Sequence, residues 1–126
     1  MKLHLATRIV CGVTVVECNG RIILGDESSV LRQFVRDQLR DHHQLVLDLG
    51  NVTYIDSSGL GVLVGLWSSA KKSGGEIKLA NLSPEMNDML QLTKLVTVFQ
   101  IFERVEDAAA SYNPAAGRST PVEWEG

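Results

Sequence analysis

A chain of 126 residues with 44% apolar and 21% charged side chains suffices for one domain with its own core, falls short of two ordinary ones, and has no disordered composition. A formal net charge of -3 with both signs interspersed gives no basic stripe for phosphate backbones and no polybasic patch, so no direct nucleic-acid partner is expected. No apolar run reaches the ~20 residues of a membrane span, and "MKLHLATRIV" lacks a signal peptide's apolar stretch and cleavage site, so the expectation is a cytoplasmic protein without membrane insertion.

In chain order, "KLHLATRIV" and "VTVVECNGRIIL" are rich in β-branched residues and separated at Cys11-Gly12, which predicts an antiparallel hairpin. Cys11 and Cys18 in or beside these strands suit free thiols, and His4, His42 and His43 have no ligand spacing, so neither a metal nor another cofactor is expected. After Gly25, "DESSVLRQFVRDQLRDH" places Leu31, Phe34, Val35 and Leu39 on one face and Asp26 and Glu27 in the first turn, the pattern of a helix. "QLVLDLGNVTYI" is nearly continuously apolar over Leu45, Val46, Leu47 and Leu49, as a central strand buried on both faces would be.

A second helix is expected from residue 58 to about residue 72, with Leu60, Leu63, Val64, Trp67 and Ala70 on one face and Gly74-Gly75 beyond its end. "EIKLANL" predicts a strand, and "SPEMNDMLQLTKL" a third helix with Ser83 as N-cap, Pro84 at its first position and Met86, Met89 and Leu90 inward. "VTVFQIF" predicts a final strand and "ERVEDAAASY" a final helix, after which residues 113–126 lack periodicity and form an expected loosely ordered tail. An initial hairpin followed by alternating strands and helices makes an α/β fold, with a mixed sheet of four or five strands and about four helices, in one domain over residues 1–112.

The chemistry concentrates at "DSSGLG". Asp56 or Ser57 can accept a bond from an early helix amide, which suffices for a cap. The turn also follows an apolar strand, so it lies at a carboxyl edge of the sheet, where open α/β folds place ligands. At 100° per residue, Ser57, Ser58, Gly61, Gly65, Ser68, Ser69 and Lys72 fall on one small, polar side. Interior glycines each cost a helix ~1 kcal/mol against alanine, so either a partner or another element of the domain approaches that side. A serine at a helix N-terminus suits a phosphate. A catalytic serine is disfavoured, because Ile55 and Asp56 stand where a nucleophile elbow needs glycine and no histidine is placed as base. Gly59 and Gly61 form no phosphate-binding loop.

"VLDLGNVTYIDSSGLGVLVGLWSSAKKSGGEIKLANLSPEM" resembles the central segment of the bacterial anti-sigma factor antagonists of the STAS domain family, and the resemblance extends more loosely over residues 13–110. It implies a STAS-like fold and a non-enzymatic partner switch. Such a protein binds an anti-sigma factor serine kinase, freeing a sigma factor for transcription, is inactivated by phosphorylation, and is restored by a PP2C-type phosphatase. The acceptor position, directly after the aspartate, is Ser57 here. Asp56, Ser58 and Gly59 match the rest of the turn as recognition residues, and Asp26 corresponds to an acidic position near the acceptor. With Gly61 and Gly65 of the small-residue side, these make the expected partner surface. The alternative is a binding module of the same fold in a signalling assembly or in transporter regulation.

Overall fold

The computed structural model describes residues 3–112. The expected tail over residues 113–126 lies outside them. Along the chain run β1 (His4–Val10), β2 (Val13–Ile22), α1 (Asp26–Asp41), β3 (Gln44–Ile55), α2 (Ser57–Lys72), β4 (Glu76–Ala80), α3 (Pro84–Leu92), a 3-10 turn (Leu95–Thr97), β5 (Ile101–Phe102) and α4 (Val105–Ala110). The five strands form one mixed sheet in the order β1-β2-β3-β4-β5.

β1 and β2 pair antiparallel through a turn at Cys11 and Gly12, whose φ angles of 51° and 77° give the mirror-image turn that matches strand twist. The remaining neighbours are parallel. Each crossover advances the sheet in the same direction, and right-handed crossovers therefore put α1, α2 and α3 on one face. Leu31 and Val35 of α1, Leu63 and Leu66 of α2, and Met86 and Leu90 of α3 close the large core there over Leu45, Leu47 and Leu49. On the other face, α4 covers Val13, Val15, Val46 and Ala80 with Val105, Ala108 and Ala109. β3 is buried from both sides over Leu45, Val46 and Leu47, which explains its nearly continuous apolar run there, interrupted only by the half-buried Asp48 before Leu49. Both thiols are free; burial and the nearby Asp48 charge push the Cys18 thiol up to about 12, leaving it a protonated core group.

The final strand differs from expectation. Only Ile101–Phe102 pairs with β4, and residues 95–97 form the 3-10 turn after Lys94, which has φ 63°. Leu95, Val98 and Phe99 recur at helical rather than alternating spacing and pack on the large core. Phe99 meets Trp67 of α2 edge-on, with ring centroids 6.1 Å apart.

Candidate functional site

The parallel strands β2 and β3 end side by side, so the turn into α1 and the turn into α2 share one edge of the sheet. Asp56 joins them. Its amide donates to the Ile22 carbonyl at 3.3 Å. Its Oδ1 accepts from the Gly59 amide at 2.9 Å and its Oδ2 from the Leu24 amide at 3.0 Å. Asp56 is thus the N-cap of α2, and Ser57 is the helix's first residue rather than its cap. The Gly59 and Leu24 amides, with smaller help from that of Ser58, hold the Asp56 carboxyl below its ordinary value against a modest effect of burial. A carboxylate engaged at both oxygens is a fixed negative charge.

Ser57 is exposed, and its hydroxyl makes no hydrogen bond among the described residues; Ser58 is half-buried. Asp26 is exposed in the first turn of α1, two residues beyond the Leu24 amide that Asp56 holds. Asp26 and Glu27 also line an open hollow of about 320 Å³ with Leu3, Ser29 and Val30. Asp56, Asp26 and Glu27 thus place three carboxylates on the two turns that share this edge. His42 and His43 lie before the first residue of β3 and Ser57 after its last, at opposite ends of a 12-residue strand, and no histidine bonds to Ser57 among the described residues.

The glycines separate by role. Gly59 is buried, and a Cβ there would overlap the Ile22 carbonyl oxygen, so its place in the turn is set by close approach of β2 and it offers no side chain to a partner. Gly61 and Gly65 are exposed, and a Cβ at either meets nothing within 4 Å. Of the two accounts of the small-residue side, internal packing does not hold at these two positions.

Sequence reasoning missed the apolar residues beside the turn. Leu24 is 73% exposed and Tyr54 53%, and they flank Asp56 in sequence and through the Leu24 hydrogen bond. Burying such residues is worth about 1.5–3 kcal/mol each when a partner covers them. For Leu24 the available signal was an apolar residue lying beyond Ile22, the buried last residue of its strand; Tyr54 precedes the buried Ile55 and carries no such signal.

The STAS domain family matches residues 4–108. An anti-sigma F factor antagonist of Paenibacillus polymyxa is 29% identical over 109 residues, covering 86% of this chain and 93% of the relative. An anti-sigma-B factor antagonist of Bacillus subtilis is 36% identical over 77 residues, covering 61% of this chain and 71% of the relative. The crystal structure of an anti-sigma factor antagonist from Mycobacterium paratuberculosis shares the fold with a TM-score of 0.75 at 22% identity, over 87% of this chain and 93% of that one. With the mixed five-stranded sheet, the capped serine turn and a match along nearly the whole described domain, this chain belongs to the STAS domain family and resembles its anti-sigma factor antagonists.

Proposed function

We propose that this protein is an anti-sigma factor antagonist that binds an anti-sigma factor serine kinase and is released from it by phosphorylation at Ser57. The carrying observation is the exposed, unbonded Ser57 hydroxyl at the first position of α2, directly after a capping aspartate whose charge is fixed. The chain is substrate and binding partner and performs no catalysis; ATP and magnesium belong to the kinase, and a PP2C-type phosphatase restores the hydroxyl.

The switch follows from charge. A phosphate on Ser57 adds about -1.5 to -2 charges beside Asp56, while the free amides and dipole of the α2 N-terminus offset the repulsion inside the domain. The fold is retained. Against a partner surface matched to a neutral hydroxyl, the same charge loses its hydration and meets mismatched groups, which costs binding free energy. Asp26, Ser58, Gly61 and Gly65 complete the recognition surface, with Leu24 and Tyr54 as its apolar contacts; Gly59 shapes the turn.

The test uses the anti-sigma factor recovered with this chain from its source cell and identified by mass spectrometry. Ser57→Asp leaves the unfolding transition within ~0.5 kcal/mol of wild type, as for an exposed substitution, and lowers affinity at least a hundredfold by calorimetry. Ser57→Ala abolishes phosphate incorporation and Ser58→Ala retains it. A phosphate mapped to Ser58, or a Ser57→Asp chain that binds as tightly as wild type, overturns the reading.

A further inference from the structure

Leading away from Ser57, α1 and α2 leave an open groove of about 150 Å³ between them, with Arg32 and Arg36 of α1 on one rim and Gly61, Gly65 and Ser69 of α2 on the other. Both rims are rows of residues four apart, the spacing that forms ridges along a helix. At Arg36 and Ser69 the groove runs on into a hollow of about 270 Å³ that Arg40 also lines.

The charge on this groove is local and uncompensated. Arg32 and Arg36 are exposed, and neither has an ion pair or hydrogen bond with any described residue. Arg40, one turn further, is paired with Asp37 at 3.1 Å. Two unpaired guanidiniums one turn apart thus make this groove locally positive on a chain whose net charge is -3. Opposite them, the space over Gly61 and Gly65 is open, so backbone from outside can approach that rim closely.

Resting on the reading of the chain as an anti-sigma factor antagonist, we infer that this groove receives an acidic helix of the anti-sigma factor. Carboxylates one turn apart on that helix pair with Arg32 and Arg36, and its backbone lies against the glycine rim. A cleft between two helices suits a third helix packing ridge into groove, and the arginine spacing matches carboxylates at i and i+4. Planar guanidiniums take carboxylates two hydrogen bonds at a time. A phosphate backbone or an anionic membrane surface calls for a broad basic patch, which two arginines in a net-acidic chain do not make.

The same anti-sigma factor is titrated into wild type, Arg32→Glu/Arg36→Glu, Arg32→Gln/Arg36→Gln and Ser57→Asp chains at 50 to 300 mM salt, with melting curves as the folding control. The glutamate pair lowers affinity at least tenfold and flattens the salt dependence, the glutamine pair falls between, and reversing a facing acidic pair on the partner restores affinity to the glutamate variant. Wild-type affinity and salt dependence in both arginine variants overturn the groove proposal, and Ser57→Asp losing affinity in the same series leaves the phosphorylation reading standing. Wild-type affinity in Ser57→Asp rejects the phosphorylation reading whatever the arginine variants do. Unchanged anti-sigma binding together with arginine-dependent capture of phosphatidylserine vesicles also overturns the proposal, assigning the groove to a membrane surface.

Discussion

Asp56 accepts hydrogen bonds from two parts of the chain, the Gly59 amide in its own turn and the Leu24 amide 32 positions earlier. Replacing it with alanine removes an N-cap, about 1 kcal/mol, and an exposed hydrogen bond whose amide then turns to water, so the expected total loss is about 1–1.5 kcal/mol at pH 7. Because the native carboxyl lies below its ordinary value, its charged form stabilises the fold fully above the unfolded aspartate pKa. That contribution is lost as pH falls through the lower native value. Urea unfolding of wild type and Asp56→Ala at steps from pH 7 to pH 3 should show the gap between them shrinking toward the acid end; a constant gap would contradict this account. The sequence offered Asp56 or Ser57 as cap because local chemistry permits both. The distant Leu24 amide fixes Asp56 in that role and leaves the Ser57 hydroxyl free.

Within α2, glycines of similar local context have opposite surroundings. A Cβ at Gly59 would overlap backbone of β2, whereas Gly61 and Gly65 face open space. Gly59→Ala should therefore destabilise the fold by about 1–3 kcal/mol, as overpacking does, visible as a lower melting temperature. Gly65→Leu should keep or raise the melting temperature, since leucine is the better helix former by up to ~1 kcal/mol, while weakening anti-sigma factor binding by filling the rim. A fall in melting temperature with unchanged affinity would place Gly65 in internal packing instead. The helical period and the break at Gly74-Gly75 made α2 readable to within one residue of its start, since α2 spans Ser57–Lys72. The stretch "VTVFQIF" was misread because β-branched residues suggest a strand, while Leu95, Val98 and Phe99 are drawn into a turn by the core beneath.

Across the whole molecule, the sheet's second face is closed by α4 around a buried lysine. Lys78 of β4 donates from Nζ to Ser111 Oγ at 2.6 Å and sits 4.0 Å from the Tyr112 ring centroid, and the Tyr112 hydroxyl donates to the Leu45 carbonyl at 2.9 Å. Burial pushes the Lys78 ammonium below its ordinary value, with Glu76 opposing and Lys71 adding. The charged form therefore costs stability below the native pKa, and the cost is relieved as pH rises toward the unfolded lysine value of ~10.4. Lys78→Met keeps an unbranched stem against the rings without the charge, so it should match or exceed wild-type stability at pH 7, with the difference narrowing by pH 10 in chemical denaturation. A variant clearly less stable at pH 7 would show that the ammonium holds α4 in place.

The sequence by itself determined the order of elements, the doubly buried β3, the amphipathic α2 and a serine turn where strand becomes helix. These follow from hydrophobic period, capping chemistry and glycine breaks, which depend on residues a few positions apart. Only the tertiary structure decided that Asp56 joins two turns, that Gly59 is packed while Gly61 and Gly65 are open, and that Arg32 and Arg36 stand across a groove from those glycines. These relations bring together residues about thirty positions apart, and right-handed crossovers on a twisted sheet set them, so no local pattern records them.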